Sequence, residues 1–200
     1  LVRSRGLGDV YKRQLLRLGY EFNRPFMTLF TPERYAPAFR YIVGRMRARG
    51  VSGVAFVWAS ANLSLDPSGP SEPWDFDLWY PGDGYVDWFG FSMWFPSMSD
   101  TLMMSEARAR NKPVLLAEVS PVEFNVGESA FYPLLTRAGE VLDPNELWAR
   151  WWQPMFDFIA ANLDVIGGFA YIANDWQSDS LWGTNPFFWN CDARVWANDT

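Results

Sequence analysis

The chain has 200 residues, 49% of them hydrophobic and 20% charged, which is long enough for a sizeable core and typical of a globular protein. A formal net charge of −6 argues against nucleic acid or an anionic membrane as a partner, and no apolar run approaches the roughly 20 residues that cross a bilayer. With no histidine and a single cysteine, the chain has no Ser-His-Asp or Cys-His catalytic system, no His-ligated zinc and no internal disulfide framework.

The first 14 residues, LVRSRGLGDVYKRQ, show no apolar periodicity and lack the apolar core of a signal peptide. The stretch DVYKRQ is similar to an in-frame translation of the transposase mosaic end used in sequencing-library adapters. We therefore predict that residues 1–14 are an adapter scar and that residues 15–200 form a partial domain. An ordinary basic N-terminal arm is the alternative.

The next segments alternate between strand and helix patterns. LLRLGY (15–20) predicts a short strand. Thr31-Pro32-Glu33 is a helix start, apolar residues follow at helical spacing, and Gly50 is expected to end the helix. VSGVAFVW (51–58) is nearly continuous in apolar residues, as buried parallel strands are.

The second half of the chain repeats this alternation. After a loop that ends in the turn sequence YPGDG, we predict a strand, a helix, a strand, a helix and a last strand. The second of these helices starts near Pro144, and Pro154 is expected to kink or restart it. The three strands are predicted at 85–94, 113–119 and 165–174, and the first helix is predicted at 101–111.

Strands that alternate with helices indicate an α/β fold with a parallel sheet. A complete (β/α)₈ TIM barrel needs roughly 250 residues and eight strands, whereas five strands are visible here. The pattern therefore predicts the C-terminal half of such a barrel. A doubly wound open sheet is the competing fold, although no glycine-rich phosphate loop follows any strand.

Two glutamates stand at the carboxyl ends of predicted strands, where barrel enzymes place their chemistry. Glu21 follows the first visible strand and Glu118 ends the fourth, so two strands lie between them. A retaining glycosidase needs two carboxyl groups roughly 5–5.5 Å apart, one as acid/base and one as nucleophile. Burial beside Tyr20 and Phe22 would raise the pKa of Glu21 and keep it protonated. The alternative is that both are solvated or helix-capping acids.

Aromatic residues are unusually frequent, with 12 Trp, 16 Phe and 8 Tyr. A large aromatic core is one interpretation. Many of the tryptophans, however, lie at strand ends beside polar residues, where a flat apolar face suits a sugar ring, a flavin or a peptide. Asn174 and Asp175 lie at the end of the last strand, where they either bind a sugar hydroxyl or begin a turn.

Three segments, LGYEFN, YPGDGYVDWFGFSMW and KPVLLAEVSP, together resemble the catalytic half of clan A glycoside hydrolases. The likeness is greatest to glycoside hydrolase family 26 and its β-mannanase-like members, and it extends from Leu15 to about Asp192. The resemblance implies that Glu21 is the acid/base, that Glu118 is the nucleophile, and that the visible strands are strands four to eight of the barrel.

The same resemblance implies a set of substrate-binding residues. Trp176 stands where such enzymes place a sugar-stacking aromatic, and Trp58, Trp94, Tyr20 and Asn23 are further candidates. Two of these depart from the family pattern, which has a histidine at the position of Tyr20 and a tyrosine where this chain offers Trp94.

The resemblance thus implies a retaining endo-β-glycoside hydrolase that acts on a plant-type β-1,4-linked polysaccharide such as mannan. It implies no metal or organic cofactor, no nucleic-acid or membrane partner, a monomer when complete, and a secreted or periplasmic location. A half barrel is expected to be inactive alone. The alternatives are a β-glucanase or xylanase of the same clan, or a non-catalytic glycan-binding barrel.

Overall fold

The structure, a computed structural model, describes residues 14–23, 30–61, 75–94, 101–121, 130–131, 140–141, 144–182 and 193–194. Residues 1–13 of the predicted adapter scar lie outside these ranges. Gln14, the last residue of that predicted segment, is the first residue of a strand and donates its backbone N–H to the carbonyl oxygen of Gly53 at 2.8 Å.

The five predicted strands all occur in the structure, together with a short strand pair that the sequence did not indicate. In chain order the strands are β1 (Gln14–Arg17), β2 (Val54–Ser60), β3 (Trp88–Met93), β4 (Val114–Val119), β5 (Ala130–Phe131), β6 (Glu140–Val141) and β7 (Ile166–Tyr171). The α-helices of the described residues are α1 (Pro32–Ala48), α2 (Phe76–Trp79), α3 (Thr101–Ala109), α4 (Pro144–Leu147) and α5 (Gln153–Ala161).

Five strands form one sheet in the order β1-β2-β3-β4-β7, and β5 pairs with β6 in a separate antiparallel sheet. The β1–β2 and β2–β3 pairs are parallel, with Arg17 opposite Val57 and Trp58 opposite Phe89. The predicted parallel sheet is therefore confirmed. Its order also keeps two strands between β1 and β4, as the sequence indicated.

Strand β1 ends three residues earlier than predicted because the chain turns after Arg17. Gly19 has a positive φ of 65°, and Glu21 has a positive φ of 48°. A Cβ atom at Gly19 would lie only 2.9 Å from the ring of Tyr35, so this position needs glycine for space as well as for its backbone conformation. Tyr20 and Glu21 therefore lie in a turn instead of a strand.

Helix α1 follows its sequence pattern closely. Thr31 is the N-cap residue and Pro32 the first helical residue. Its buried positions recur about once per turn, so that one face of the helix is buried; they are Tyr35, Ala36, Phe39 and Val43. Gly50, with φ of 72°, lies just beyond its end.

The helical segment after Pro144 is interrupted as Pro154 predicted. Helix α4 passes into a π-helical turn, Trp148–Trp152, and α5 restarts at Gln153 with Pro154 in its first turn. A proline lacks the N–H that a continuous helix needs, and this position tolerates the loss because first-turn donors have no intrahelical acceptor. The interruption leaves Trp151 and Met155 buried.

The chain divides into two compact units. The first contains Leu1–Ser92, Asp100–Ala117 and Val165–Gly168, and the second contains Met93–Ser99, Glu118–Asp164 and Phe169–Thr200. Fully buried aromatic and aliphatic side chains form the core of each. The first includes Phe22, Phe39, Trp58, Phe89 and Leu116, and the second Met93, Val119, Trp151 and Met155.

One sheet face of the first unit carries small side chains, and its packing yields a prediction about Gly90. A Cβ atom there would lie 3.1 Å from Val57 Cγ1, 3.2 Å from the carbonyl oxygen of Leu115 and 3.3 Å from Ala59 Cβ. Because a backbone oxygen and two packed side chains must then give way, we expect Gly90→Ala to lower the free energy of unfolding by about 1–3 kcal/mol in a urea titration.

Gly44→Ala is the control for this prediction. Gly44 is exposed in α1, and a Cβ atom there meets nothing within 4 Å. We expect this change to raise the free energy of unfolding by about 0.5–1 kcal/mol, since alanine favours a helix interior. If both substitutions changed the free energy of unfolding by the same sign and amount, close packing at Gly90 would not be the cause.

Candidate active site

The residues singled out from the sequence fall into two groups, each within one unit. The Glu21 cluster belongs to the first unit and consists of Tyr20, Glu21, Phe22, Asn23, Tyr35 and Trp58. The Glu118 cluster belongs to the second unit and consists of Trp94, Glu118, Ser120, Trp151 and Trp176.

Glu21 lies in the turn after β1 and is 3% exposed. Its φ of 48° is a left-handed conformation that residues other than glycine adopt at a cost. The preceding residue, Tyr20, is 45% exposed, and the guanidinium carbon of Arg17 lies 5.5 Å from the centre of its ring.

The two residues after Glu21 are anchored in the core. The Phe22 ring is fully buried and stacks on Tyr35 at 4.9 Å and on Trp58 at 4.6 Å between ring centres. Asn23 is 7% exposed, and its Oδ1 accepts a hydrogen bond of 2.8 Å from the backbone N–H of Ala61 just after β2. The turn that carries Glu21 is thereby tied to the neighbouring strand.

Trp58 is placed differently from what its strand-end position suggested. Side chains of β2 alternate between the two sheet faces, and Trp58 falls on the face that carries the aromatic residues. Its ring packs edge-on against Phe76 at 5.2 Å, Tyr80 at 5.2 Å and Phe89 at 5.6 Å. The ring is fully buried among these aromatic side chains, and the sugar contact of Trp58 stays a prediction.

Glu118 lies near the end of β4, as the sequence predicted, and its side chain is half-buried. The carbonyl oxygen of Val119 accepts a hydrogen bond of 2.9 Å from the backbone N–H of Ile172 in the segment after β7. One residue later, the hydroxyl of Ser120 accepts a hydrogen bond of 3.2 Å from the indole N–H of Trp176. The end of β4 and the segment after β7 are thus joined directly.

Tryptophans surround this end of β4. The Trp94 and Trp176 rings meet edge-to-face with their centres 6.1 Å apart, and both residues are buried. The indole N–H of Trp151 donates to the carbonyl oxygen of Trp94 at 3.0 Å. The predicted substrate-binding residues Trp94 and Trp176 therefore lie together, whereas Tyr20 and Asn23 belong to the other cluster.

The segment after β7 begins a turn, which was one of the two interpretations of Asn174 and Asp175. The Asp175 carboxylate accepts a hydrogen bond of 3.3 Å from the backbone N–H of Ser178 and forms a salt bridge of 3.2 Å with Arg194. Asn174 donates from Nδ2 to Asp179 at 3.3 Å. Hydrogen bonds from the backbone N–H of Leu181 and from Asn174 lower the pKa of Asp179.

Three contributors to the clusters were not singled out from the sequence, namely Trp151, Ser120 and Tyr35. Ser120 stands inside the KPVLLAEVSP segment, and its spacing of two from Glu118 was the available signal. Tyr35 had the spacing of a core residue on α1, and nothing local distinguished it from Phe39. Among the described residues, no three His, Cys, Asp or Glu side chains are grouped to hold a metal ion, and no helix has the length and apolarity to cross a membrane.

The Trp176–Ser120 hydrogen bond allows sugar binding to be separated from stability. We expect Trp176→Phe and Ser120→Ala each to lower the free energy of unfolding by about 1 kcal/mol, because each removes one side of the same bond. If the Trp176 ring stacks on a sugar ring of the substrate, only Trp176→Phe should weaken oligosaccharide binding. The dissociation constant should then rise a few-fold in calorimetric titration. Equal affinities in both variants would make Trp176 a core residue only.

Comparison with known proteins gives matches over most of the chain. A sequence profile of glycosyl hydrolase family 26 matches residues 25–151, a span that includes Glu118 and begins after Glu21. The β-1,3-xylanase TXYA of a Vibrio species is 30% identical over 96% of this chain and 42% of its own length. A β-1,3-xylanase of an Alcaligenes species is 29% identical over 94% of this chain and 41% of its own. The chain therefore spans about two fifths of the length of these curated relatives.

Solved structures with a similar fold include two endo-β-1,4-mannanases. The catalytic domain of the Bacillus sp. JAMB-750 enzyme is similar with a TM-score of 0.55 and 17% identity, over 78% of this chain and 40% of that one. The modular Cellulomonas fimi enzyme has a TM-score of 0.53 and 16% identity, over 90% of this chain and 45% of that one. At such identities the likeness concerns the fold alone.

Proposed function

The chain belongs to glycosyl hydrolase family 26, and from this premise we propose that it is the catalytic half of a retaining endo-β-glycoside hydrolase. In this proposal β1, β2, β3, β4 and β7 are strands four to eight of a (β/α)₈ barrel. The complete protein acts on a polysaccharide outside the cytoplasm, in the medium or the periplasm.

The observation that carries the proposal is the position of two glutamates relative to the sheet. Glu21 lies in the turn after β1, and Glu118 is the residue before the last in β4. Strands β2 and β3 lie between β1 and β4 in the sheet order. The carboxyl ends of barrel strands are where such enzymes hold their catalytic groups. Glu21 is buried, and the general acids of glycosidases are commonly held in such water-poor sites.

The reaction proceeds by double displacement. Glu21 donates its proton to the glycosidic oxygen while a carboxylate oxygen of Glu118 attacks the anomeric carbon, so the leaving sugar departs and a glycosyl ester forms. Glu21, now a carboxylate, takes a proton from a water that attacks the same carbon and frees Glu118. Two inversions give overall retention, and this geometry requires the two carboxyl groups to lie roughly 5–5.5 Å apart.

Two polysaccharides are candidate substrates. The 30% identical relative and the 29% identical relative are both named β-1,3-xylanases, which favours a β-1,3-linked xylan. The similar solved structures are β-1,4-mannanases, and they support β-1,4-mannan as the second candidate. We give the xylan precedence because the identity to the xylanases is almost twice that to the mannanases.

The test is a substrate panel assayed with the complete gene product, since the chain spans about two fifths of its curated relatives. We expect β-1,3-xylan to be cut into oligosaccharides of intermediate length, as endo action requires, with β-1,4-mannan and β-glucan cut more slowly. Proton NMR of the first products should show the β-anomer before mutarotation. An initial α-anomer would indicate inversion by a water and would rule out the double displacement.

A non-catalytic glycan-binding barrel is the rival function, because Tyr20 and Trp94 depart from the family pattern. Binding and turnover of the same oligosaccharides should therefore be measured in parallel. Micromolar binding without any product after long incubation would favour the rival. Turnover that Glu118→Ala removes while binding persists would favour the hydrolase.

A further inference from the structure

Tyr35 on helix α1 contacts the turn that carries Glu21 on both sides of that glutamate, at Leu18 and at Phe22. We propose that Tyr35 is a positioning residue, which fixes the backbone of this turn and thereby the direction of the Glu21 carboxyl group. The inference rests on the proposed role of Glu21 as acid/base and adds a residue that the sequence pattern assigned only to the core.

The contacts of Tyr35 cover both sides of the turn. Its hydroxyl donates to the carbonyl oxygen of Leu18 at 2.8 Å, and its ring stacks on Phe22 with 4.9 Å between centres. The glycine between them, Gly19, approaches the Tyr35 ring so closely that a Cβ atom would lie 2.9 Å from it. One side chain thus holds the residues before and after Glu21.

The turn needs such a support because of its backbone conformation. Glu21 adopts a φ of 48°, a left-handed conformation that residues other than glycine populate at a cost in free energy. A conformation of this kind persists when the surrounding contacts determine it. The stacked Phe22 and the hydrogen bond from the Ala61 N–H to Asn23 Oδ1, at 2.8 Å, hold the turn from its other end.

The chemistry of Tyr35 fits this task better than a plain core residue would. Phenylalanine fills the same space, but only the phenol can donate to the Leu18 carbonyl oxygen. Burial raises the pKa of Tyr35 far above its ordinary value, so the hydroxyl keeps the proton that it donates. A carboxyl group must be aligned with the leaving oxygen, and a displacement of about 1 Å can cost roughly a hundredfold in rate.

Tyr35→Phe in the complete protein tests the proposal, since it removes one hydroxyl and keeps the stacked ring. Tyr80→Phe is the control, because the Tyr80 hydroxyl donates to a group outside the turn, Asp83 Oδ1 at 2.6 Å, while its ring packs on Trp58 in the same unit. We expect Tyr35→Phe to lower kcat about tenfold to a hundredfold on an oligosaccharide, with KM unchanged. On an aryl glycoside with a good leaving group, the loss should stay below about threefold, since little protonation is needed.

Tyr80→Phe should leave both rates unchanged, although it too removes one phenol hydroxyl. Asn23→Ala removes the hydrogen bond that holds the other end of the turn. Its loss of kcat should likewise be large on the oligosaccharide and small on the aryl glycoside. Equal losses on both substrates, or equal behaviour of Tyr35→Phe and Tyr80→Phe, would overturn the positioning role. Glu21→Ala is assayed alongside: if it also shows no dependence on the leaving group, the acid assignment fails, and the two failures are thereby told apart.

Discussion

Glu118→Ala in the complete protein is expected to abolish hydrolysis of every β-glycoside, whatever its leaving group. The first displacement needs a carboxylate oxygen that bonds to the anomeric carbon, and alanine offers no replacement. We expect kcat to fall by at least about 10⁴-fold, the order of loss that follows removal of a covalent nucleophile. Initial-rate assays on an aryl glycoside and on an oligosaccharide check this, and the loss should be alike on both.

Sodium azide makes the Glu118→Ala result diagnostic. A small anion that occupies the space of the missing carboxylate attacks the anomeric carbon from that side, and the product is a glycosyl azide of inverted configuration. Glu146→Ala is the control, because Glu146 is an exposed glutamate of the same unit on α4. It should hydrolyse both substrates at the wild-type rate. Substantial activity of Glu118→Ala without azide would assign the nucleophile to another residue.

The positions of the strands followed from apolar runs, but their ends did not. Strand β2 was predicted from 51 and begins at Val54, because Gly53 has a φ of 80° and still belongs to the preceding turn. Strand β3 was predicted from 85 and begins at Trp88, since Tyr85 donates its N–H back to Gly82 at 2.9 Å. Local composition indicates where a strand lies, whereas pairing with neighbours decides where it begins.

In the candidate site too, neighbouring residues in the sequence indicated some features, whereas others depend on residues far along the chain. The segment LGYEFN indicated that Glu21 follows a strand. It did not indicate the left-handed conformation of Glu21, in a turn that contacts Tyr35, 14 positions later, and Ala61 after β2. Trp58 looked like a strand-end aromatic, yet the alternation of side chains along β2 places it in the aromatic core. Which face a strand residue occupies depends on register, and register is set by partners far along the chain.

Glu21→Ala should distinguish substrates by their leaving groups. The proton that Glu21 donates stabilises a departing sugar oxygen, which is a poor leaving group, so kcat/KM on an oligosaccharide should fall about 10²–10⁴-fold, the usual contribution of a general acid. An aryl glycoside with a strongly acidic phenol departs without a proton, and its first displacement should keep nearly the wild-type rate. The second displacement lacks its base, so the glycosyl ester on Glu118 should accumulate and give a burst of released phenol.

Azide again supplies the decisive measurement, because the small anion needs no deprotonation to attack the accumulated ester. Turnover of the aryl glycoside by Glu21→Ala should rise with azide concentration, and the product should be a glycosyl azide of retained configuration, opposite to that from Glu118→Ala. The Glu21→Gln variant keeps the volume of the buried side chain, so a loss of the same pattern there excludes a packing defect. Equal losses on good and poor leaving groups would assign the acid to a different residue, since a general acid matters in proportion to the basicity of the group that it protonates.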